Sequence, residues 1–159
     1  RYTKVNSFNQ FFDNFWDKAS KEWDFIFLRN KKMLVWRFDE NPRKYSKLIF
    51  KFNNEIIGYL VYFNNHDSIN PKIIIADFLF LKKHISAFEY ALFILKKIAS
   101  KEKVDSINLW YSVQSMFTNI LSRGFYKNKE VPLIFNLANN CEGNTLTNVH
   151  FTISDSDNI

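Results

Sequence analysis

Hydrophobic residues near the start of the chain recur at intervals of three and four positions. Between Ser7 and Lys21, aromatic residues share one side of a helical projection and polar residues occupy the other: Phe8, Phe11, Phe12, Phe15 and Trp16 against Asn9, Asp13, Asn14 and Asp17. This spacing predicts an amphipathic helix that packs its aromatic face into a core. A second helical or irregular stretch is predicted over Phe25 to Phe38. It ends before Pro42, because proline disfavours helix in its predecessor.

The next part of the chain alternates between apolar and polar positions, which predicts strands. Lys47 to Asn53 and Glu55 to Phe63 are joined at Asn53-Asn54, a pair that tolerates positive φ and predicts a tight hairpin. Gly58 inside the second strand indicates a bulge or a close backbone contact. The run Ile73 to Leu81, interrupted by Asp77, predicts a central strand that is covered on both faces.

A long helix is predicted from Ser86 to Ser100. Apolar residues recur there with helical spacing, at Phe88, Ala91, Leu92, Leu95, Ile98 and Ala99. Ser86 and Glu89 have the spacing of a capping box, in which each side chain bonds the backbone N–H of the other residue. The helix is therefore expected to begin at Ser86 with a side-chain cap.

The remaining elements are short. Strands are predicted over Asp105 to Tyr111, Val131 to Leu137 and Val149 to Ser154, and a helix over Ser115 to Arg123. Gly124 lies where a left-handed C-terminal cap is expected, and Phe125 is expected to pack back on that helix. Because hairpins come first and helical crossovers follow, the order predicts an α/β fold with a mixed, mostly antiparallel twisted sheet. We expect six to seven strands with helices on both faces, and one domain over residues 1–159.

Composition narrows the class of protein. An apolar fraction of 47% in 159 residues excludes a disordered polar chain. The single cysteine, Cys141, excludes an internal disulfide, which favours a reducing cytoplasmic location and a loop thiol over a nucleophile. No apolar run reaches the roughly 20 residues that span a bilayer. The chain begins with Arg1 instead of Met, as expected of a fragment of a longer protein.

The net charge of +6 is spread along the chain. Its densest basic pairs are Lys31-Lys32, Lys82-Lys83 and Lys96-Lys97, and no long cationic run occurs. This pattern indicates a lysine-rich surface or attraction to an anionic ligand, and it disfavours nucleic-acid binding. Metal-ligand spacings, a Walker loop and a G-x-S-x-G elbow do not occur, so metal dependence is not expected.

The element order and several short strings resemble the GNAT superfamily of N-acyltransferases over Ser7 to Ile159. Leu121-Ser122-Arg123-Gly124-Phe125 is similar to the helix-ending G-F string of that family, and Asn54 to Val61 is similar to its second hairpin. Further strings resemble a narrower bacterial branch in order and spacing: Trp36-Arg37-Phe38, Pro42, Tyr45, Asp77 and Asp155-Ser156-Asp157.

The resemblance implies a central strand that splays from its neighbour and binds acetyl-CoA in the gap. The pantetheine amides would pair with the backbone of Phe78, Leu79, Phe80 and Leu81, because an open strand edge offers N–H and C=O groups. The pyrophosphate would lie at the N-terminus of the following helix, near His84, Ile85, Ser86 and Ala87.

Two positions depart from the family pattern. Glu89 replaces a small residue in the first helical turn, where its charge opposes a pyrophosphate. Ile120 stands four residues before Gly124, where many members have a tyrosine that protonates the departing thiolate. Tyr111 and Tyr126 are the substitutes near that position in the sequence, and packing is the alternative role for both.

Three acidic residues and one histidine are candidates for contact with the amine acceptor. Asp77 is the first candidate for a general base, because an unpaired carboxylate in an apolar strand has a perturbed protonation equilibrium. Its alternative is a structural acid bonded to Arg37 or Trp36. His150 is the second candidate, and its alternative is an ordinary residue on the polar side of a strand. Asp155 and Asp157 would bind an amine or form a solvated chain end.

Two functions follow. The first is an N-acyltransferase that moves an acetyl group from acetyl-CoA to an unidentified small-molecule or peptide amine. The alternative is a non-catalytic GNAT-fold domain that has lost CoA and recognises a ligand or partner. The macromolecular partners expected are a second copy of the chain or an additional domain of a longer protein.

Overall fold

The computed structural model describes residues 1–66, 69–112, 118–121, 124–125 and 148–155. The strands are β1 (Tyr2–Val5), β2 (Phe25–Ile26), β3 (Ser46–Phe52), β4 (Glu55–Asn65), β5 (Lys72–Phe80), β6 (Ser106–Leu109) and β7 (Val149–His150). The α-helices are α1 (Phe11–Ala19), α2 (Lys31–Leu34), α3 (Ser86–Glu102) and α4 (Thr118–Leu121). A π-helical turn covers Val35–Asp39, and 3₁₀ turns cover Ser20–Glu22, Lys82–His84 and Ile153–Asp155.

The main sheet has the strand order β1-β3-β4-β5-β6. Its first three pairings are antiparallel, and β5 pairs with β6 in parallel. The predicted mixed, mostly antiparallel sheet is therefore confirmed, although the main sheet has five strands within the described residues. Strands β2 and β7 form a separate parallel pair that the sequence did not predict. The predicted strand at Val131 to Leu137 and Cys141 lie outside the described residues.

Helices cover both faces of the main sheet, as predicted. Tyr59 of β4 packs edge-on against Phe12 and Phe15 of α1, with ring centroids 5.8 and 6.0 Å apart. On the opposite face, the Phe78 ring of β5 stacks on Phe88 of α3 at 4.7 Å. Because both faces are covered, the side chains of β5 from Ile75 to Phe80 are all buried.

The first helix begins later than the predicted start at Ser7. The Ser7 hydroxyl donates to Asp39 Oδ2 at 2.6 Å, and the Phe8 N–H donates to the same oxygen at 3.1 Å. These bonds hold the backbone outside the helix, yet Phe8 is still buried in the core. The stretch predicted as helical or irregular over Phe25 to Phe38 contains β2, α2 and most of the π-helical turn.

The hairpin prediction at Asn53-Asn54 is confirmed. Both residues have positive φ, 47° and 64°, and they join β3 to β4 with Phe52 paired to Glu55. Asparagine tolerates this conformation better than other residues with a side chain, because its short polar group bonds locally.

The predicted long helix is confirmed as α3, but its capping box is wrong. The N-cap position is Ile85, with right-handed helical backbone and no side-chain cap. The 3₁₀ turn at Lys82–His84 leads directly into α3, so Ser86 is already helical and cannot act as the cap residue. At the other end, Lys103 is the left-handed residue, with a φ of 54°.

The later predictions are confirmed in part. Strand β6 and helix α4 lie within their predicted ranges. Gly124 does not adopt the predicted left-handed conformation; its N–H and that of Phe125 both donate to Leu121 O. Phe125 packs against the core as expected. The strand predicted over Val149 to Ser154 is limited to β7 and one bridge at Thr152, because the chain then turns into a 3₁₀ helix.

Gly58 marks both a bulge and a close approach. The register of β3 with β4 shifts between Phe50 and Lys51, which are paired with Gly58 and Ile56. A Cβ atom on Gly58 would lie 2.1 Å from Cδ1 of Phe80. The Phe80 ring is fully buried and cannot move aside freely. Glycine is therefore required here by the neighbouring strand.

We expect Gly58→Ala to lower the free energy of unfolding by about 2 kcal/mol, because it overpacks the core at Phe80. Gly124→Ala is the matched control, since its nearest neighbour would be the flexible end of Lys96 at 3.1 Å. Urea denaturation of both variants measures the difference. Equal stability of the two variants would contradict this role of Gly58.

Candidate functional site

A cleft opens where β5 and β6 separate. The two strands pair from Lys72 with Ser106 to Ile75 with Leu109. Beyond Ile75, β5 continues to Phe80 with β4 on one side. On its other side, no strand of the described residues pairs with this part of β5. The open edge of the strand runs towards the N-terminus of α3.

Backbone groups of β5 face this cleft at alternate residues. The Leu81 N–H donates to Ile57 O at 3.0 Å, so it points towards β4. Since backbone direction alternates along a strand, Leu79 also faces β4, whereas Phe78 and Phe80 face the cleft. Of the four residues predicted to pair with a cofactor, two therefore present backbone groups to the open edge.

The chain itself occupies this cleft with residues Asn148–Thr152, which we call the cleft segment. The Nε2–H of His150 donates to Phe78 O at 2.7 Å. The His150 ring packs edge-on against Phe78, with ring centroids 5.3 Å apart, and at a tilt against Trp23, with centroids 4.7 Å apart. His150 is 1% exposed, so its predicted place on the polar side of a strand is wrong. His150 is paired with Ile26 of β2 in the short parallel pairing of β7 with β2.

The other side of the cleft segment contacts the continuation of β6. The Ser112 hydroxyl donates to Val149 O, and Thr152 forms an antiparallel bridge with Tyr111. The segment therefore connects the two strands that separate from each other. Tyr111, the third predicted catalytic residue, is half-buried and packs against the core beside this bridge.

Burial, followed by the nearby positive charge of Arg29, lowers the pKa of His150 to about 3. The imidazole is therefore neutral at neutral pH, with its Nε2 proton held by the Phe78 carbonyl.

Asp77 is the centre of a buried charged cluster. Arg29, which precedes α2, donates from Nε to both oxygens of Asp77 at 3.1 and 3.2 Å. The Tyr59 hydroxyl and the Thr152 hydroxyl each donate to Asp77 at 2.7 Å. Asp77 is thus bonded to Arg29 instead of the predicted Arg37 or Trp36. Its carboxylate is fully buried and turned away from solvent.

The same arginine connects Asp77 to Thr152 of the cleft segment, at 3.2 Å, and to the 3₁₀ turn that follows it. One terminal nitrogen of Arg29 donates to Asp155, and the other donates to Phe27 O at 2.8 Å. Asp155 also accepts from Arg37 Nη1 at 3.0 Å. Its side chain is fully buried, so the alternative of a solvated chain end is wrong for Asp155. Asp157 and Tyr126 lie outside the described residues.

The charged groups of the cluster shift the pKa values of their neighbours. Burial by itself would lower the pKa of Arg29, but the carboxylates of Asp77 and Asp155 raise it above its ordinary value. Burial and the adjacent charge of Asp77 raise the pKa of Tyr59 well above its ordinary value. Arg29 therefore stays charged and Tyr59 stays a hydrogen-bond donor. The sequence signal that could have revealed this cluster is a single arginine, Arg29, directly after the apolar run Phe25 to Leu28.

The approach to α3 is partly occupied as well. The Lys82 N–H donates to Glu22 Oε2 at 2.8 Å, and the His84 N–H donates to Leu81 O at 2.8 Å. In the first turn of α3, Ser86 is exposed and Ala87 is half-buried. N–H groups in a first turn have no acceptor within their own helix and suit an anion.

The other predicted positions near α3 are placed as follows. His84 packs beside Phe52, with ring centroids 5.3 Å apart, and Ile85 packs against the core. Glu89 is exposed in the first turn. Ile120, at the position of the family tyrosine, packs against the core.

Two further properties concern the described residues. None of their His, Cys, Asp and Glu side chains form a group of three or more that could hold a metal ion. No helix among them combines the length and apolar character required to cross a membrane.

Comparison with solved structures shows which fold this is. An aminoglycoside acetyltransferase from an uncultured soil metagenomic sample, in complex with sisomicin, has a TM-score of 0.59 at 9% identity, covering 86% of this chain and 95% of the other. The aminoglycoside N-acetyltransferase AAC(6')-Iy, in complex with CoA, has a TM-score of 0.56 at 10% identity, with coverages of 86% and 99%.

A third similar structure acts on a different acceptor. The ribosomal-protein-alanine N-acetyltransferase from Brucella melitensis biovar Abortus 2308 has a TM-score of 0.57 at 5% identity, covering 86% of this chain and 99% of the other. No family model and no curated protein matches the sequence. The chain therefore has the GNAT fold, shared with acetyltransferases of low sequence identity.

We expect Arg29→Met to lower the free energy of unfolding by about 3–5 kcal/mol, because it leaves the buried carboxylate of Asp77 without a cation and Asp155 with Arg37 alone. Lys18→Met is the control, since it removes an exposed ion pair with Glu55, and exposed pairs contribute little. Urea denaturation at neutral pH measures both changes. A similar, small effect of the two substitutions would contradict the importance of the buried cluster.

The low pKa of His150 predicts a specific pH dependence of stability. The unfolded chain binds a proton at His150 near pH 6.5, whereas the folded chain does so only near pH 3. Stability is therefore lost as the pH falls below 6.5. Between pH 6.5 and 5, the wild type should lose about 2 kcal/mol more than His150→Gln. Parallel stability curves for the two proteins, measured with urea, would refute this assignment.

Proposed function

We propose that this chain is an N-acyltransferase domain that transfers an acetyl group from acetyl-CoA to an amine. The observation that carries the proposal is the separation of β5 from β6 after Ile75, which turns the backbone of Phe78 and Phe80 towards a cleft. The described acetyltransferases of this fold, one of them a CoA complex, support the same function.

The cleft offers binding groups for the pantetheine arm and for the phosphates of acetyl-CoA. Amide groups of the pantetheine arm can pair with the backbone of Phe78 and Phe80, as a peptide adds to a sheet edge. The phosphates can approach the first-turn N–H groups of Ser86 and Ala87, where the helix dipole also favours negative charge. The net charge of +6 attracts this anionic donor at long range.

Transfer forms a bond between the amine nitrogen and the acetyl carbon and breaks the bond from that carbon to sulfur. The amine releases its proton to solvent water, and the departing thiolate gains a proton from a side chain that solvent then reprotonates. We assign the proton donor for the thiolate to Tyr111, which lies on the continuation of β6 beside the cleft. Asp77 and His150 are committed to Arg29 and Phe78 and serve to shape the cleft.

The acceptor we propose is a small-molecule or peptide amine. Proteins of this fold include an acetyltransferase crystallised with sisomicin and an N-acetyltransferase of ribosomal-protein alanine. The positive net charge of this chain repels a polycationic acceptor. A neutral or anionic amine, such as the end of a peptide, therefore fits better than a polycationic one.

One observation favours the second candidate, a non-catalytic GNAT-fold domain that recognises a ligand or partner. The hydrogen bond from His150 to Phe78 O uses an acceptor that acetyl-CoA would need. If the segment never leaves the cleft, the fold serves recognition without CoA.

We expect Ser86→Asp to weaken acetyl-CoA binding about tenfold, because it places a negative charge beside the phosphates. Ser100→Asp, also exposed but in the last part of α3, is the matched control. The Ser86 variant should fold normally, since an acid in the first turn stabilises a helix. Isothermal titration calorimetry of both variants and the wild type measures the affinities.

Equal affinities of the three proteins would contradict the placement of the phosphates at α3. Absence of acetyl-CoA binding by all three proteins, and also by the His150 variant introduced below, would overturn the proposed function and favour the non-catalytic domain.

A further inference from the structure

We infer that the cleft segment is an internal plug of the donor site, held by His150, which must leave the cleft before acetyl-CoA binds. The inference rests on the proposed function and adds a regulated step to it. Without the plug, the same cleft would be open to the donor at all times.

The first support is the chemistry of the contact at β5. Phe78 presents its carbonyl to the cleft, and the His150 imidazole supplies the N–H donor at 2.7 Å. A pantetheine amide would supply the same kind of donor to the same oxygen. The two donors compete for the same space at the strand edge, because the buried His150 ring contacts both Trp23 and Phe78 there.

The second support is that the cleft segment belongs to a larger unit, which includes Glu22–Ile26. Asn148 exchanges two hydrogen bonds with Asp24, at 2.9 and 3.0 Å, and β7 pairs with β2. Glu22 of the same unit accepts from the Lys82 N–H just before α3. One unit thus contacts the strand edge proposed for the donor, through His150, and the turn that leads into α3, through the carboxylate of Glu22.

The third support is the way the segment is anchored. At one end, Thr152 and Asp155 are bonded to the fully buried Arg29. At the other end, the segment is held by the two residue pairs of β2 with β7, by the two hydrogen bonds between Asn148 and Asp24, and by the bond from Ser112 to Val149 O. Short pairings open at low free energy compared with a buried core. Residues Asn148 to Phe151 can therefore leave while Thr152 remains attached.

The size of the effect follows from competition between the plug and the donor. When a site is open in a fraction of the molecules, its apparent affinity falls by that fraction. Loss of one hydrogen bond of about 1.4 kcal/mol raises the open fraction about tenfold. The plug therefore reduces the apparent affinity for acetyl-CoA, because the plug and acetyl-CoA cannot occupy the cleft at the same time.

The test compares acetyl-CoA binding by the wild type, His150→Ala, His150→Gln and His66→Ala. His66 is the matched control, since it is exposed and follows the end of β4 that pairs with the start of β5, away from the cleft. We expect His150→Ala to bind about tenfold more tightly than the wild type. His150→Gln retains an N–H donor and should bind like the wild type, as should His66→Ala. Thermal melts check that each variant is folded.

A second measurement uses the wild type alone and does not depend on the folding of a variant. Hydrogen exchange is followed by mass spectrometry with and without saturating acetyl-CoA. We expect faster exchange at residues 148–151 on binding, with slow exchange retained around Arg29.

The outcomes separate the two proposals. Equal, measurable affinities of wild type and His150→Ala, or slower exchange at residues 148–151 with acetyl-CoA, would overturn the plug and leave the proposed function intact. Absence of binding by every variant would overturn the proposed function itself.

Discussion

The guanidinium of Arg29 links distant parts of the chain beside the point where β5 and β6 stop pairing. It is fully buried between Asp77 of the central strand and Asp155 near the last described residues. Two carboxylates in an apolar interior are tolerated because one planar cation bonds both of them. The loop before α2, strand β5 and the turn at Ile153–Asp155 are consequently fixed relative to each other. The cleft beside Phe78 and Phe80 derives its shape from this arrangement.

Two of the residues that the sequence offers for chemistry, Asp77 and His150, have structural partners in the described conformation. Asp77 and His150 both lie beside the cleft, which is where an acetyltransferase of this fold would carry out its reaction. Both are buried, and each has a specific partner within the chain. Buried polar groups therefore line the proposed donor cleft here while they bond partners within the chain. The backbone of β5, and not a side chain, is the most direct link between fold and proposed activity.

Periodicity predicted the regular elements well, because it records which residues are buried. The strands on either side of Asn53-Asn54, the apolar strand containing Asp77 and the helix at Ser86 are examples. Local motifs were less reliable: the capping box at Ser86 fails because the preceding 3₁₀ turn already starts the helix. Contacts distant in sequence could not be predicted from one chain. The residues around His150 alternate as in a half-exposed strand. Its burial depends on contacts with Trp23 and Phe78, which are distant in sequence and which periodicity cannot reveal.

The sequence distances between Arg29 and its two partners determine the order in which these contacts form. Arg29 and Asp77 are 48 residues apart, whereas Arg29 and Asp155 are 126 apart. Contacts between distant residues form late, because a long loop must close first, and during synthesis the second carboxylate leaves the ribosome after the whole sheet. The strand edge at Phe78 is thus made before the segment that covers it. Every newly synthesised chain passes through a stage in which this cleft is still uncovered.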